Sequence, residues 1–566
     1  MGGVSETREA TEPTAAPRRA RWARRALRPA LGAAAGLLSG ACALGVAELA
    51  SVLVRREANP VVAVGGAVID RTPTPLKEFA VRNFGTNDKL VLQLGILALL
   101  VLFAVVLGCL ALRHRRAGAA GVLIFGLVGG AAALSRPKAE TFDPLPSVVG
   151  ALAGAATLYL LSGLLAARGT AQAGAGRVTA DTDEDEAEGP DKPAEEHPLG
   201  SPGAFDRRGF VVAAGGVAVV SAGAGAVGRT LNSRRGAEAV ASRDAVRLPA
   251  PASKAAPVPR GADLGVRGVS PYFTPNADFY RVDTALVVPK VSADGWKLRI
   301  HGKGVTTPVE VTYDDLLERE LVERVITMTC VSNEVGGKYA GNARWLGVPL
   351  AELLREAGVR PPSRGGPADQ LVARSVDGMT LGSPVETVMD GRDAMLAVGM
   401  NGEPLPFEHG FPVRMLVPGL YGYVSACKWL EDLELTTFDD YDTYWVKRNW
   451  SEKAPIKTQS RIDTPKSFGQ VKAGKVAVAG VAWAQHTGID KVEVRVDDGA
   501  WQRARLADED SRDTWRQWVW EWPATPGSHT LHVRATDRTG YTQTSERVGT
   551  VPDGATGRHS VVVSVE

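Results

Sequence analysis

Apolar residues in the first third of the chain come in long runs. Four runs of 18 or more residues carry a single charge among them, Glu48, which lies near the end of the first run. A helix of about 20 apolar residues crosses a hydrocarbon core of ~30 Å. Buried core helices are the alternative, but such length with so little charge favours membrane spans. The pattern therefore predicts four transmembrane helices within 31–167, at 31–54, 90–112, 117–134 and 145–167.

The placement of arginines orients these predicted spans. Six arginines lie between residues 18 and 28 of a basic tail at 1–30, and a second cluster, 113–116, separates the second and third spans. Because cytoplasmic loops carry the excess of Lys and Arg, both clusters are expected inside, and 55–89 and 135–144 outside. The spans contain no histidine in their interior, so we expect no membrane haem.

The segment after the fourth span changes character three times. Nine acidic residues and one lysine between 181 and 196 predict a disordered, cytoplasmic linker over 168–205. An arginine pair then opens the mildly apolar segment 206–228, which is either a fifth span or a twin-arginine-like export signal. Both readings place the rest of the chain outside the cytoplasm. An Ala/Pro-rich tether is expected over 229–269.

From residue 270 the pattern becomes that of a globular α+β domain. Residues 296–302 alternate between apolar and polar, and 321–329 are rich in β-branched residues and end directly before Cys330. Helical apolar spacing occurs at 313–322 and 350–357. We predict an α+β domain over 270–455.

Beyond residue 456 apolar positions alternate with polar ones. Short alternating segments with turn signals between them predict an all-β sandwich over 456–566. Trp518, Trp520 and Trp522 alternate within one such segment. A carbohydrate-binding face built from these tryptophans is an alternative use of the same pattern.

Composition excludes several classes of function. Lys+Arg 65 against Asp+Glu 63 leaves a net charge of +2, which argues against a general nucleic-acid binder. Four cysteines in 566 residues exclude a disulfide scaffold. None of them stands in a C-x-x-C pair, which counts against a zinc ribbon and against c-type haem.

Candidate chemistry concentrates in four stretches of the α+β segment. Cys330 stands at a strand end beside a glycine-containing loop, where a thiolate can approach a metal. Residues 401–414 are N-G-E-P-L-P-F-E-H-G-F-P-V-R, and residues 419–429 are G-L-Y-G-Y-V-S-A-C-K-W. Upstream, residues 274–281 are T-P-N-A-D-F-Y-R. A lone cysteine is more often a small buried apolar group, so the ordered set carries the argument.

These motifs resemble, in the same order, those of the sulfite oxidase family of molybdopterin enzymes. That family has a strand-end Cys, then N-G-x-P-L-P-x-x-H-G-x-P-x-R, then a G-x-x-S-x-K-W element. In the last element this chain has one more residue between Ser425 and Lys428. The resemblance covers about half the chain, from residue 270 onward. It implies molybdenum held on molybdopterin, and an Ig-like dimerisation-type domain at 456–566.

The resemblance also implies site residues. Cys330 would be the metal ligand, and Cys330, Arg281 and Trp450 would form the catalytic site. The pterin and its phosphate would be bound by Asn276, Phe279, Tyr280, Arg281, His409, Arg414, Gly422, Ser425 and Lys428. These residue types suit the cofactor, because arginine grips phosphate with a bidentate fork, lysine acts as a point charge and glycine lets the backbone come close.

Two positions depart from the family pattern. An arginine that helps to hold sulfite, five residues after the metal cysteine, is replaced here by Val335, and our alignment puts Trp450 in place of an active-site tyrosine. Loss of a cation and a phenol weakens the capture of a small dianion. We therefore expect a substrate other than simple sulfite.

The leading hypothesis is a multi-pass cell-membrane oxidoreductase that transfers an oxygen atom at molybdenum in an extracytoplasmic domain. A sulfoxide reductase of the same family and a non-catalytic cell-surface protein on the same fold are the alternatives. Expected partners are a small-molecule substrate, an unidentified electron acceptor or donor, the membrane, and a second copy of the chain through the C-terminal domain. No nucleic-acid partner is expected.

Overall fold

The computed structural model describes residues 18–166, except for part of 74–87, and residues 207–566. The predicted linker at 168–205 and the start of the basic tail lie outside the described residues. The chain divides into two compact units. One comprises Met1–Val68 and Asn87–Ser233, and the other comprises Ile69–Thr86 and Arg234–Glu566.

The first unit is helical. Its helices are α1 (Arg18–Leu53), α2 (Pro60–Arg71), α3 (Asp88–Ala111), α4 (Arg115–Leu134), α5 (Leu145–Ala166) and α6 (Arg207–Ala245), with a 3-10 turn at Arg56–Ala58; α2 and α6 end in the second unit. Within the described residues, five helices are long and apolar enough to cross a membrane, and α2 is too short. These five match the five predicted apolar segments.

Small residues let the helices of this unit approach closely. A Cβ placed on Gly36 of α1 would lie 1.9 Å from the Ala104 carbonyl oxygen of α3, and one on Gly150 of α5 would lie 2.5 Å from the Ala43 carbonyl oxygen of α1. Glu48 accepts hydrogen bonds from the amides of Asn59 at 2.6 Å and of Asn232 at 2.9 Å. The Glu48 carboxylate, the one charged group of the first apolar run, is thus hydrogen-bonded by two side chains of its own unit.

The expected tether at 229–269 is wrong in two respects. Helix α6 continues through Ala245, since the alanine-rich residues after 228 are good helix formers and Pro249 is the first residue that cannot continue the helix. The chain after α6 is also tied to the second unit: Ala252 N–H donates to the Leu321 carbonyl and Glu323 N–H to the Ser253 carbonyl, both at 2.8 Å.

The first part of the second unit is built on two five-stranded sheets. One has the order β2-β1-β10-β5-β6, and the other has β3-β4-β7-β8 with β9 paired to β7. The strands are β1 (Lys297–Gly302), β2 (Val309–Thr312), β3 (Val322–Thr329), β4 (Ala340–Pro349), β5 (Gln370–Ser375), β6 (Thr380–Pro384), β7 (Met395–Met400), β8 (Glu403–Pro404), β9 (Arg414–Leu416) and β10 (Leu430–Thr436). The helices are α7 (Tyr313–Leu317), α8 (Leu350–Glu356), α9 (Val385–Val388) and α10 (Gly422–Ser425), and 3-10 turns lie at Arg260–Ala262, Pro362–Arg364, Phe407–His409 and Val446–Arg448.

Local predictions for this part hold with one exception. The strands at 297–302 and 322–329 and the helix at 350–356 agree with expectation. The helix predicted over 313–322 stops at Leu317, although Thr312 and Asp315 form a capping box at its start. The β-branched residues from Val322 onward pair instead with β4, so tertiary pairing overrides the apolar spacing.

The C-terminal part is β-rich and consists of two sheets around one core. The sheet orders are β11-β13-β17-β16 and β12-β19-β18-β14-β15. The strands are β11 (Gln459–Thr464), β12 (Gly469–Val471), β13 (Gly474–Trp483), β14 (Ile489–Val496), β15 (Gln502–Arg503), β16 (Arg505–Leu506), β17 (Arg516–Ala524), β18 (Gly527–Asp537) and β19 (His559–Val565). Trp518 and Trp522 are buried in the shared core, so they do not form the carbohydrate-binding face that the sequence left open.

Candidate active site

Cys330 lies where β3 ends and the chain turns. Its N–H donates to the Tyr339 carbonyl at 2.9 Å, and its own carbonyl accepts from Asn333 N–H at 3.0 Å, which fixes the turn. The side chain is 8% exposed and lines a cavity of about 130 Å³. Burial raises the pKa of the Cys330 thiol, against hydrogen bonds from Ser332 that favour the thiolate. The strand-end placement predicted for this cysteine is therefore correct.

Several predicted residues from distant parts of the chain meet at this cavity. The lining includes six of them: Tyr280, Cys330, Arg414, Gly422, Lys428 and Trp450. Five other predicted residues do not line it: Asn276, Phe279, Arg281, His409 and Ser425. The first group surrounds the space, and three of the other five, Asn276, Phe279 and His409, contact members of that group or each other.

Gly410 explains why the His-Gly motif brings two cations together. Its φ of 109° lies in the left-handed region, and a Cβ there would come within 3.0 Å of the Lys428 backbone and 3.1 Å of the Arg414 Cβ. Only glycine allows the chain to turn this close to both residues. Arg414 begins β9, and Lys428 stands just before β10.

Arg414 is a buried cation with unused hydrogen-bonding capacity. It is 5% exposed, and its NH1 group donates to the His409 carbonyl at 3.1 Å. Its Nε–H finds no acceptor among the described residues. Burial lowers the pKa of Arg414 to about 10, which still leaves it charged at neutral pH. A buried orphan donor of this kind is suited to an anionic group in the cavity.

Lys428 and Arg281 share a carboxylate that the sequence reasoning missed. Lys428 Nζ lies 2.8 Å from Asp283 Oδ2 and Arg281 Nε lies 3.0 Å from the same oxygen. Lys428 also donates to the Glu408 carbonyl at 3.1 Å. Asp283 stands two residues after Arg281 and lines the cavity, but no motif marked it. Its charge offsets part of the positive charge expected from the two cations.

His409, Asn276 and Phe279 form a layer behind the cavity. His409 Nε2 lies 3.0 Å from the Asn276 carbonyl oxygen, and the Phe279 ring packs edge-on against the His409 ring at 5.5 Å. Phe279 also stacks on Tyr280, which does line the cavity, with centroids 5.2 Å apart. Burial, with the nearby charge of Arg414, lowers the pKa of His409 to about 4. A neutral His409 can donate to the Asn276 carbonyl and so hold the 274–281 segment in place.

The Ser425 hydroxyl is used by its own helix. It donates to the carbonyls of Leu420 and Tyr421 at 3.0 Å, and the residue is buried outside the cavity lining. This arrangement gives Ser425 a structural task, so a direct contact with the cofactor stays a prediction. The S-x-x-K spacing around Ser425 also differs by one residue from the S-x-K spacing of the family.

One wall of the cavity is aromatic. Trp450 is 5% exposed, lies against Tyr423 at 5.5 Å and Trp445 at 6.0 Å, and its Nε1–H finds no acceptor among the described residues. All three rings line the cavity. Val335 does not line it. The wall on this side therefore offers ring surface and one indole donor.

The C-terminal β region supports the strand that carries Cys330. Gln485 Nε2 donates to the Thr327 carbonyl at 3.1 Å and to Thr329 Oγ1 at 2.9 Å, and Trp515 N–H donates to Thr327 Oγ1 at 2.7 Å. Sequence reasoning missed Gln485, because nothing in its local pattern points to a strand more than 150 residues away. The position of Cys330 thus depends on contacts from both parts of the second unit.

The residues at the cavity fit a molybdopterin cofactor. Arg414 offers a donor that has no acceptor among the described residues, Gly422 brings the backbone to the cavity wall without a side chain, and Cys330 offers a thiol. Within the described residues no three His, Cys, Asp or Glu side chains group together as metal ligands, so a metal beside Cys330 would take its further ligands from the cofactor. Cys427, to which the sequence motifs assign no role, lines the same cavity as a second thiol.

Comparison with known proteins agrees with this site. The model of the oxidoreductase molybdopterin binding domain matches residues 285–445. Mitochondrial sulfite oxidase of Homo sapiens is 28% identical over 303 residues, which cover 46% of this chain and 55% of that protein. Nitrate reductase [NADH] of Solanum lycopersicum is 32% identical over 184 residues, which cover 29% of this chain and 20% of that protein. The chain spans about half the length of the sulfite oxidases that it matches.

A solved structure is also similar. The sulfane dehydrogenase SoxCD from Paracoccus pantotrophus has 25% sequence identity and a TM-score of 0.45, over 53% of this chain and 84% of that chain.

The fold and site define a molybdopterin-binding oxidoreductase domain, in which Cys330, Arg414, Gly422 and Lys428 fall inside the matched range. The chain therefore contains a molybdopterin-binding oxidoreductase domain that is similar to the sulfite oxidases. The predicted residues 276–281 and Trp450 lie just outside the matched range, and their inclusion rests on the cavity geometry.

Proposed function

We propose that this protein is a membrane-bound oxidoreductase that transfers an oxygen atom at a molybdenum ion bound by Cys330. The convergence of Cys330, Arg414, Gly422 and Lys428 on one cavity carries the proposal. The five helices of suitable length and composition support membrane attachment. The arginine clusters of the sequence support an extracytoplasmic catalytic domain.

Each residue has a definable task toward the cofactor. When bound, the cofactor supplies a metal centre that exchanges an oxygen atom and two electrons with a substrate. Cys330 would ligate the metal as thiolate, because a nearby cation reverses the preference that burial gives to the neutral thiol. Arg414 would hold the phosphate through its unused Nε–H, and Lys428 would add a charged donor fixed in direction by Asp283.

The substrate is proposed to be larger and less charged than sulfite. Asp283 accepts from both Lys428 and Arg281, so part of their positive charge is neutralised before a substrate arrives. The wall formed by Tyr423, Trp445 and Trp450 offers apolar surface to an organic group. A compact dianion would gain little from that wall and would need fixed cations instead.

Reduction of a sulfoxide is the second candidate. The same aromatic wall favours it, because a sulfoxide is a neutral S–O compound with organic substituents. The two directions differ in the electron partner that they need. Assays with an artificial electron acceptor and with an artificial donor, run on the same preparation, would separate them.

The proposed metal ligation is tested by a pair of cysteine variants. Both Cys330 and Cys427 are buried at the cavity, so Cys330→Ser and Cys427→Ser make changes of equal size in nearly the same place. We expect about one molybdenum per wild-type chain and a metal–thiolate signal in X-ray absorption spectra. The part of this signal that comes from a protein cysteine should be lost in Cys330→Ser and kept in Cys427→Ser.

Turnover with any substrate should also be abolished in Cys330→Ser while most of the pterin is retained, since Arg414 and Lys428 are unchanged. Absence of molybdenum from wild-type protein made in a host with intact cofactor synthesis would refute the proposal. So would a metal–thiolate signal that follows Cys427.

A further inference from the structure

The helical unit contains an apolar cavity that the proposed chemistry does not use. Its volume is about 260 Å³, and its lining comes from α1, α2, α3, α4 and α5 within the described residues of the first unit. Protein interiors are packed at crystal density, and voids larger than a water molecule are few. A cavity of this size leaves its lining atoms without partners unless something fills it.

Loose helix packing does not account for the cavity. Helices α1 and α3 touch at Gly36, where a Cβ would lie 1.9 Å from the Ala104 carbonyl oxygen. Helices α4 and α5 touch at Gly126, where a Cβ would lie 2.2 Å from the Ala151 Cβ. Gly36, Ala104, Gly126 and Ala151 all line the cavity. The helices are therefore in backbone contact around the space and hold it open between them.

One polar side chain at the cavity has no hydrogen-bond partner in the part of the chain that the structure describes. Ser39 and Ser147 are the two lining residues with polar side chains. The Ser39 hydroxyl donates to the Gly154 carbonyl at 2.8 Å. Ser147 is 4% exposed, and its hydroxyl has no hydrogen-bond partner among the described residues. Buried hydroxyls are nearly always satisfied, so this one is suited to a ligand oxygen.

The cavity is polar at one end and apolar along the rest. Ser147 lies in the first turn of α5, and Leu158 of the same helix lines the cavity further in. Because an α-helix rises about 1.5 Å per residue, these two positions are about 16 Å apart. The rings of Phe103 and Phe125 also line it and lie 5.0 Å apart. A chain-like molecule with one polar end matches this distribution.

We propose that this cavity binds a lipophilic amphiphile, whose carbonyl or hydroxyl oxygen bonds to Ser147 and whose apolar chain runs toward Leu158. Isoprenoid quinones and acyl lipids share this chemistry. The site is separate from the molybdenum cavity, so the proposal does not depend on the proposed oxidoreductase activity.

The test uses the full chain, purified in detergent, and a long-chain monoacylglycerol that carries a diazirine in its acyl chain. After irradiation, mass spectrometry maps the labelled peptides. Val64 of α2 lines the cavity, whereas Val62 of the same helix does not. We expect labelling of the lining peptides in the wild type, loss of that labelling in Val64→Phe, and wild-type labelling in the matched control Val62→Phe.

A second pair of variants tests the polar end without adding bulk. Ser147→Ala removes the unpartnered hydroxyl, and its control Ser162→Ala removes a hydroxyl on the same helix that donates to the Tyr159 carbonyl at 3.2 Å. Loss of one hydrogen bond should raise the half-saturating probe concentration about 5-fold in Ser147→Ala. Ser162→Ala should leave it unchanged. This pair decides the matter if Val64→Phe fails to fold.

Competition identifies the source of the ligand. Either an unlabelled monoacylglycerol or a long-chain isoprenoid quinone should suppress labelling of the lining peptides, and the stronger competitor shows which source is used. The proposal is overturned if the wild-type lining peptides are not labelled. It is also overturned if folded Val64→Phe and Val62→Phe, or Ser147→Ala and Ser162→Ala, bind the probe equally. Molybdenum content measured on the same samples reports separately on the oxidoreductase proposal.

Discussion

Arg414 shows how one buried side chain can be committed to a ligand. Its guanidinium keeps its charge at neutral pH although burial lowers its pKa to about 10, and one of its donors is bonded to the His409 carbonyl. The Nε–H remains without an acceptor among the described residues. Leaving such a donor unsatisfied costs about 1–3 kcal/mol, so binding of a phosphate at this point would recover that free energy. The same Nε–H of Arg414 therefore lowers the stability of the protein without the cofactor and favours binding of the cofactor phosphate.

Trp450 allows a test of substrate preference by a single side chain. Indole can only donate a hydrogen bond, whereas a phenol both donates and accepts. Trp450 lines the cavity, and its Nε1–H has no acceptor among the described residues, so Trp450→Tyr would place a hydroxyl at this wall. We expect the wild type to oxidise sulfite poorly and Trp450→Tyr to raise kcat/KM for sulfite by about 10-fold, the value of one charge-assisted hydrogen bond.

The control for this prediction is Trp450→Phe, which makes the same room without the hydroxyl. Steady-state assays with an artificial electron acceptor give both values. An equal rise in kcat/KM for sulfite in the Tyr and Phe variants would show that the space for sulfite, and not the hydroxyl, limits its oxidation. Fast sulfite turnover by the wild type would show that other cations hold the dianion.

At the scale of elements, β19 links the C-terminal β region to the turn that follows Cys330. His559 opens β19, and its Nδ1 accepts a hydrogen bond from the Ile462 N–H of β11 at 3.0 Å. A Cβ placed on Gly336 would lie 2.1 Å from the His559 ring, so that glycine permits the turn to pack on β19. The imidazole must be neutral at Nδ1 to accept this bond.

This contact predicts a loss of local stability in acid. Burial, assisted by the charge of Arg461, lowers the pKa of His559 to about 4, below its unperturbed value of 6.5. As the pH falls, the unfolded chain takes up the proton first, so the contribution is complete above pH 6.5 and is lost as the pH falls toward about 4. The loss should be on the order of 3 kcal/mol. Hydrogen exchange of the β11 and β19 amides between those pH values measures it.

His559→Gln should flatten this pH dependence of amide protection. His529→Gln is the matched control, because the bond to Asp497 raises the pKa of His529 and its contribution is instead lost as the pH rises. If His559→Gln loses as much amide protection in acid as the wild type, then groups other than His559 cause the loss.

At the scale of the whole molecule, the first prediction is topological. Arginine placement predicts that the N-terminus and the linker at 168–205 lie in the cytoplasm and that the chain after α6 lies outside. Reporter fusions after residue 175 and after residue 250 should therefore report opposite sides of the membrane. A report from the same side would contradict the predicted order of the spans.

The export route is a separate whole-molecule question. Replacement of Arg207 and Arg208 by lysine keeps the positive charge that orients a span but removes the twin-arginine pair. Export that stops in this variant would support the twin-arginine hypothesis. Normal amounts of the catalytic domain outside would support an ordinary fifth span.

The sequence alone determined those features that depend on short-range order. Runs of apolar residues located the long helices, β-branched residues placed the strand before Cys330, and one ordered set of motifs indicated the molybdopterin-binding domain. These features could be predicted because helix length, strand periodicity and motif order are properties of neighbouring residues. Local patterns failed where pairing over distance decided, as at 318–322 and at Ala252 and Ser253 of the expected tether.

Only the tertiary structure decided what meets at the sites. Asp283 pairs with Lys428 across 145 residues, and Gln485 bonds to Thr327 across 158, and no local pattern encodes either contact. The same holds for Ser147, whose hydroxyl looks ordinary in the sequence but lines a cavity formed by five helices and has no hydrogen-bond partner among the described residues. Contacts between distant segments depend on how whole helices and strands pack. The fold therefore decides which side chains pair with a charge and where a cavity forms, and a local sequence motif does not.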